Sequence, residues 1–593
     1  VLLLATVLAA LALLATACGG PSHKLAKAEV NPREPLSLVA HETVPRTGSR
    51  PNILVIETDD MRWDELRWMP TVRRLIEDTG LTFANSFAPY PLCCPSRASF
   101  LSGKYAHNHG VLSVWRPWGF HAFDDHLTIA TELQHAGYQT ALIGKYLNGY
   151  GQMPTYGTNR PSLHYVPPGW TQWYGASDHA WPAWQDVHGG TYDYFNLTQN
   201  INGKLVTWPH RYTTDIMGAE TRRVLSQFTA TGKPWFVWWT PIAPHTGRPL
   251  EKDDPRPHRM DGTGKIYNWP SPARPDWVKG RFDAEITHGL GTPPNRPAEP
   301  DNSDKPLWLR VMPPLDAIER HDETVISRQR AEALYVLDRQ IARTLAYLRS
   351  TGQYDHTVIV FTSDNGYYLG EHRKREGKTS VHEPSLRVPL LITGPGVPHG
   401  VRYDPVTTID LAPTFAALGG IPGGMPQTDG VDLMPLVRHG DRGWRRAVVT
   451  EARMFNPSLT HAPRSRFFDG GLDLRGVRLG RWKLTVYPTG ERELYDLATD
   501  PLELHNLATP QNLARHRADR RMLHAMMRLW ARYADCKEAA CRRPIPPRFR
   551  LTPAQERRLT IHEILATRQY YSDPGLEGPP SQTGVPLSES GRP

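Results

Sequence analysis

The sequence predicts an α/β fold: a large mixed, mainly parallel sheet sandwiched by helices, with a smaller C-terminal antiparallel sheet plus helix. Three observations carry this reading. Short apolar runs rich in β-branched residues alternate with helix-period segments between residues 51 and 392. Several of those runs end on charged or amide residues, as strands of a buried parallel sheet do where ligands gather. Beyond residue 440 the texture changes to closely spaced short strands separated by turns.

The elements follow in order. Residues 52–56 (NILVI) read as a buried strand that runs out at Thr58-Asp59-Asp60. Residues 70–78 (PTVRRLIED) open with Pro at a helix start and close near Gly80. A helix over 127–136 stops at Gly137 and leads to a strand over 139–143, followed by Gly144-Lys145. A helix over 213–228 precedes a Trp-rich strand over 235–239, with Pro244-His245 behind it. Residues 331–350 place Leu334, Leu337, Ile341, Leu345 and Leu348 on one helix face. Strands over 357–361 and 388–392 complete the sheet. Four short strands at 447–450, 476–479, 483–487 and 491–495 and a helix over 516–533 form the smaller unit.

The predicted organisation is therefore an export signal (1–17), a polar tether (18–50), a main α/β domain (51–440), an α+β subdomain (441–535) and an irregular basic tail (536–593). Residues 1–17 are apolar and uncharged, an export-signal core too short for a comfortable membrane span. Ala15-Thr16-Ala17-Cys18 resembles a bacterial lipoprotein signal, which implies membrane attachment through lipidated Cys18 at the outer face of the cell membrane, or secretion if Cys18 is discarded. In an oxidising compartment Cys536 and Cys541 are expected to form a small disulfide loop. The net charge of +9 suits an anionic substrate but equally suits an Arg-rich surface without function. No nucleic-acid-binding motif accompanies it, so nucleic acid is not an expected partner.

The sharpest motif is Cys93-Cys94-Pro95-Ser96-Arg97, continued by Ala98-Ser99-Phe100-Leu101-Ser102-Gly103. Asp59 and Asp60 after the first strand, and Asp364-Asn365-Gly366 after a later one, offer the oxygen ligands that Ca²⁺ or Mg²⁺ requires. Taken singly, a double Asp is as good a helix cap, Asp-Asn-Gly as good a tight turn, and Lys145 or His245 as good a surface charge or core histidine. Together and in this order they resemble the formylglycine-dependent sulfatases of the alkaline phosphatase superfamily. The resemblance runs from about residue 51 to 510 and includes Glu493 to Pro501 (ELYDLATDP). Gly103-Lys104-Tyr105-Ala106-His107-Asn108-His109 and Gly144-Lys145-Tyr146-Leu147-Asn148 resemble the N-acetylglucosamine-6-sulfatase branch.

That resemblance implies hydrolysis of sulfate esters, on sulfated carbohydrates or aryl sulfates. Cys93 would be oxidised by a formylglycine-generating enzyme, and its hydrated diol would attack sulfur. Asp59, Asp60, Asp364, Asn365 and the modified Cys93 would hold the metal. Arg97, Lys145 and Lys378 would supply positive charge, and His245 the proton for the leaving alcohol. One position departs from the family pattern. Many relatives carry a second histidine shortly after the lysine, whereas Lys145 is followed by Tyr146, Leu147 and Asn148; its task is expected to fall to Asn148 or to a histidine elsewhere. The aromatic insertion of Trp170, Trp173, Tyr174, Trp181 and Trp184 suits either sugar stacking or a lid packed on the body. The rivals are a phosphonate or phosphodiester hydrolase with the same machinery, and a glycan-binding lipoprotein whose catalysis has decayed.

Overall fold

The structure, a computed structural model of the 593-residue protein, describes residues 50–178, 189–259, 266–454 and 472–571. The expected leader, nearly all of the tether, and Trp181 and Trp184 lie outside the described residues.

The large sheet comprises β1 (Asn52–Thr58), β2 (Leu81–Phe83), β3 (Gln139–Lys145), β4 (Gln172–Ala176), β5 (Asn196–Ile201), β6 (Lys204–Pro209), β7 (Trp235–Thr240), β8 (Thr357–Ser363), β9 (Leu390–Thr393) and β10 (Gly400–Arg402). Its order among the described residues is β10-β2-β9-β8-β1-β7-β3-β4-β5-β6. The centre, β8-β1-β7-β3-β4, is parallel, while β9 and β5–β6 run antiparallel.

Continuous apolar runs are needed at the centre because both faces are covered. Ile53 and Val55 face one side with Leu142, Phe236 and Trp238, where α1 (Cys93–Ser102) packs. Leu54 and Ile56 face the other with Ile143, Val237 and Trp239, against α2 (Thr213–Thr229) and α3 (Ala317–Ser350). The predicted leucine face of α3 is entirely buried there.

Three expectations change. First, α3 begins at Ala317 rather than 331, with Asp316 as N-cap accepting from the Glu319 amide. Its first half has no apolar stripe because it buries ion pairs instead: Arg330 with Glu65 at 2.7 Å, and Glu319 with Arg375 at 2.5 Å. Second, Trp173 and Tyr174 belong to β4 and are buried with Trp170, so these three are core and not a sugar-stacking platform. Third, the 536–593 segment is not irregular throughout. After a four-stranded antiparallel sheet (Val448–Met454, Leu472–Leu479, Trp482–Val486, Arg492–Asp496) and a packed helix, α4 (Arg517–Tyr533), a 19-residue helix runs over Pro553–Tyr571. It escapes an apolar-period reading because charge helps hold it: Glu563 accepts from Arg387 at 2.7 Å and Arg478 at 2.6 Å. Cys536 and Cys541 are bridged.

Candidate active site

Strand register assembles the site. Thr58 pairs with Ser363, so Asp59 and Asp364 leave adjacent parallel strands at the same level. Gly144 pairs with Thr240, bringing Lys145 to the same edge, with His245 on the loop just beyond. Gly144 is required there: at φ +119, a Cβ would lie 2.3 Å from the Thr240 carbonyl. Asp60 adopts φ +67, a left-handed conformation that Asp tolerates at some cost.

Cys93 is the first residue of α1, whose ten residues are all buried. A helix N-terminus favours negative charge, as a sulfuryl group would bring. The Cys93 thiol donates to Asp59 Oδ1 at 3.2 Å and accepts from Lys378 Nζ at 2.8 Å; its Sγ is 3.7 Å from Asp60 Oδ1. Cys94 Sγ instead faces the Asn148 carbonyl at 3.6 Å.

Around that sulfur lie alternating charges. Lys145 Nζ donates to Asp59 Oδ2 at 2.6 Å, and Lys378 Nζ also donates to Asp60. Arg97 Nε donates to Asp364 Oδ2 at 2.8 Å, and its Nη2, buried without a hydrogen-bond partner, is 3.9 Å from Asp59 Oδ2. Asn365 Nδ2 donates to Asp60 Oδ1 at 2.7 Å. His245 Nε2 stands 3.5 Å from Asp60 Oδ2, and its Nδ1 donates to the Thr246 carbonyl at 2.6 Å.

Burial acts against every charge here, and the partners decide the outcome. It pushes Asp59 up, but Lys145, His245 and Arg97 outweigh it and hold that carboxyl well below its usual range. Asp60 is likewise lowered, chiefly by Lys378 against burial. Asp364 is pushed up to about 6 by burial and by Asp59. Burial drives the Cys93 thiol far up, with Asp364 and Asp59 adding to it. Burial also lowers His245 to about 4 despite Asp59 and Asp60.

All nine residues singled out from the sequence thus converge. Of the fallbacks for the second histidine, Asn148 lies beside the site, where its Nδ2 donates to Tyr192, whereas the motif histidines His107 and His109 are engaged elsewhere. His107 is held by Glu451 Oε1 and the Cys536 carbonyl, both at 2.7 Å, and His109 by Ser99 Oγ at 3.0 Å and the Val111 amide at 3.1 Å. Sequence reasoning missed two residues. Tyr192 packs its ring, tilted, against His245, takes a hydrogen bond from Asn148 Nδ2 at 2.5 Å, and has Lys145 Nζ 5.0 Å from its ring. Glu57, one residue before Thr58, accepts from Trp238 Nε1 at 3.0 Å and lies 3.7 Å from Arg97 Nη1; burial raises its carboxyl to about 7. Glu57 could have been flagged as buried because it continues a strand covered on both faces; nothing local marks Tyr192.

The arrangement includes a group of side chains that could hold a metal ion. Ligand atoms of Asp59, Asp60, Cys93 and His245 lie within 4.8 Å of one another, and Asn365 Oδ1 is buried with no hydrogen-bond partner.

Comparison with known proteins agrees with this geometry. The family model described as Sulfatase matches residues 51–421, and that described as N-sulphoglucosamine sulphohydrolase, C-terminal, matches residues 370–529. An arylsulfatase of Volvox carteri is 29% identical over 85% of this chain and 77% of its own length. The human N-acetylglucosamine-6-sulfatase is 29% identical over 68% of this chain and 67% of its own. Among solved structures, a phosphonate monoester hydrolase from Silicibacter pomeroyi shares 25% identity with a TM-score of 0.53, covering 81% of this chain and 95% of that one. With the sulfatase model spanning more than half its length over a site of this composition, the chain belongs to the sulfatase family and is a sulfuric ester hydrolase.

Proposed function

We propose that the protein hydrolyses sulfate esters of sulfated carbohydrates, with position 93, oxidised from cysteine to formylglycine, as the nucleophile. The observation that carries this is the placing of Cys93 Sγ, and not Cys94, against Asp59, Asp60 and Lys378. The sulfated-sugar class rests on the similarity to the N-acetylglucosamine-6-sulfatase and on the matching C-terminal family model.

Asp59, Asp60, Asp364, Asn365 and the modified residue 93 would hold a divalent cation, with Ca²⁺ favoured by the all-oxygen set. When bound, the cation supplies Lewis acidity to the nucleophile and a counter-charge to sulfate. The aldehyde, hydrated, supplies the attacking hydroxyl. The remaining work falls to the chain's own side chains. Lys145 and Lys378, each already paired with a site carboxylate, face the sulfuryl oxygens with fixed charge that need not reorganise as negative charge grows. Arg97 locks Asp364 in place and offers its unpartnered Nη2 to the same region. His245, oriented by Thr246 and Tyr192, hands a proton to the departing alcohol oxygen as the sulfur–oxygen bond breaks. Net reaction consumes water and yields the alcohol and inorganic sulfate.

The reading extends to organisation: a catalytic body over 51–440, a smaller unit over 441–535, export through the apolar leader, and anchoring by lipidated Cys18. Among the described residues no helix is long and apolar enough to cross a membrane. Turnover of an aryl sulfate, an aryl phosphonate monoester and a 6-sulfated N-acetylglucosamine, with and without a chelator, tests the function. A preference for the phosphonate, motivated by the Silicibacter pomeroyi neighbour, would replace the sulfatase specificity; binding without turnover of any ester would point to decayed catalysis.

A further inference from the structure

The chain's net positive charge is matched by one stretch of its sequence. Residues 511–562 contain 13 Lys and Arg against four Asp and Glu, an excess of nine, which equals the +9 of the whole protein. The remainder of the chain is therefore charge-balanced.

Within that segment α4 orders the charge. Arg517, Arg520, Arg521, His524, Arg528 and Arg532 recur at three- and four-residue spacing, so they lie within one third of the helix circumference. All six are exposed, whereas Leu523, Met526, Leu529 and Tyr533 on the opposite face are buried. None of the six has an ion-pair partner among the described residues. Arg520 donates to the Leu513 carbonyl at 3.3 Å, and Arg532 lies 5.8 Å from the Tyr533 ring. At 1.5 Å per residue the stripe is about 22 Å long. Uncompensated like charge along one face is a cost to the folded state that a polyanion would remove.

The stripe is also rigidly tied to the reaction site. Trp530 Nε1 pins α4 to the Arg475 carbonyl at 3.0 Å. Just past its end, the Cys536 carbonyl accepts from His107 at 2.7 Å and Asn108 at 2.8 Å, and Asp429 bridges the Glu538 and Tyr105 amides. His107 and Asn108 follow α1, whose ten residues span about 15 Å from Cys93. A long chain held on α4 is thus retained on the same body as position 93.

We infer that the α4 stripe is a docking surface for a sulfated polysaccharide, which binds there by charge while one of its sulfate esters reaches the site. The inference deepens the sulfated-carbohydrate reading and rests on it for the identity of the polyanion. Holding the polymer raises the local concentration of its ester groups without touching the chemical step. It predicts a lower KM for polymers than for single sugars, and salt sensitivity of the polymer KM alone.

The test separates binding from turnover. Heparin binding is measured with the nucleophile-free Cys93→Ala protein, with and without Arg517→Glu/Arg521→Glu/Arg528→Glu. The triple change should weaken binding about tenfold or more and flatten its dependence on salt. A triple Ala variant, milder for folding, should give an intermediate loss. In catalytically intact protein, KM on the sulfated polymer should rise by a similar factor, with kcat and aryl sulfate turnover unchanged. Unaltered heparin affinity in both triple variants would overturn the inference. So would stripe-dependent binding to phosphatidylglycerol vesicles with no heparin binding, which would assign the surface to a membrane. Stripe-dependent heparin binding by protein with Cys93 intact and converted, but with no turnover of any sulfate ester, would instead sink the catalytic reading and leave the docking surface standing.

Discussion

The rings of Tyr192 and His245 lie 4.5 Å apart, centroid to centroid, at 31°. Tyr192 also accepts from Asn148, the residue in the stretch where many sulfatases carry a second histidine. The ring contact braces His245 in addition to its Thr246 hydrogen bond. Tyr192→Phe keeps the ring and removes one hydrogen bond, so kcat should fall only about fivefold. Tyr192→Leu removes the brace and should cost on the order of 10²-fold in kcat, with KM little changed. Steady-state kinetics on a sugar sulfate decide it; equal losses in the two variants would assign the effect to the hydroxyl alone.

The nucleophile prediction follows from which sulfur faces the acids. In active protein the peptide spanning Cys93 should be about 18 Da lighter than its cysteine form, the mass change from thiol to aldehyde. Cys93→Ala should abolish turnover, whereas Cys94→Ser, whose side chain meets only the Asn148 carbonyl, should retain most of it. An essential Cys94 beside a dispensable Cys93 would place the reactive residue one position along.

Metal binding can be read without activity. Asp59 and Asp60 repel each other across the site, and Asn365 Oδ1 lacks a partner, so a divalent cation should stabilise the fold. Free Ca²⁺ at about 100 times its Kd adds about 2.7 kcal/mol. Chelator-treated protein should therefore melt a few degrees higher on adding Ca²⁺, and Asp60→Asn should lose most of that gain. A Ca²⁺ response undiminished in Asp60→Asn would locate the ion elsewhere.

Glu556, on the last helix, gives a pH prediction away from the site. Burial, with Asp404 adding to it, raises its carboxyl from 4.5 to about 11. The folded state thus holds a proton there that the unfolded state releases above pH 4.5. The stability this contributes is complete below about 4.5 and is lost progressively as pH rises toward 11. Glu556→Gln mimics the protonated form, so its stability relative to wild type should grow between pH 5 and pH 9 in urea melts. A constant difference across that range would mean the side chain stays charged.

Part of the site was legible because several functional groups sit just after an apolar strand: Asp59 after β1, Lys145 at the end of β3, His245 beyond β7 and Asp364 after β8, while Cys93 and Arg97 were legible from their motif alone. Strand order and register were not legible, since parallel neighbours are set by helices and crossovers distant in sequence. Tyr192 reaches the site from the segment between β4 and β5, where its carbonyl accepts from the Arg248 amide, and no local pattern ties it to His245. The first half of α3 and the helix over Pro553–Tyr571 were missed for a common reason: both bury ion pairs, such as Glu65–Arg330 and Arg478–Glu563, where periodicity looks for leucines.

The division of labour between His245 and the fixed cations can be separated by leaving group. Burial lowers His245 to about 4, so it rests neutral, and with Nδ1–H committed to Thr246 its Nε2 is a bare acceptor. To act as the acid it must first take a proton, which the negative charge of a bound sulfate ester favours. A sugar alkoxide cannot leave without that proton, whereas a nitrophenolate scarcely needs it. His245→Ala should therefore cost on the order of 10²–10⁴ on a sugar sulfate and far less on a nitrophenyl sulfate. Lys145→Ala should damage both substrates alike, since its charge answers the sulfuryl group and not the leaving oxygen. Equal losses for His245→Ala would assign it to holding sulfate. Because His107 and His109 are committed to Glu451 and Ser99, the search for the acid would then pass to Lys378, whose amine already reaches Cys93 Sγ.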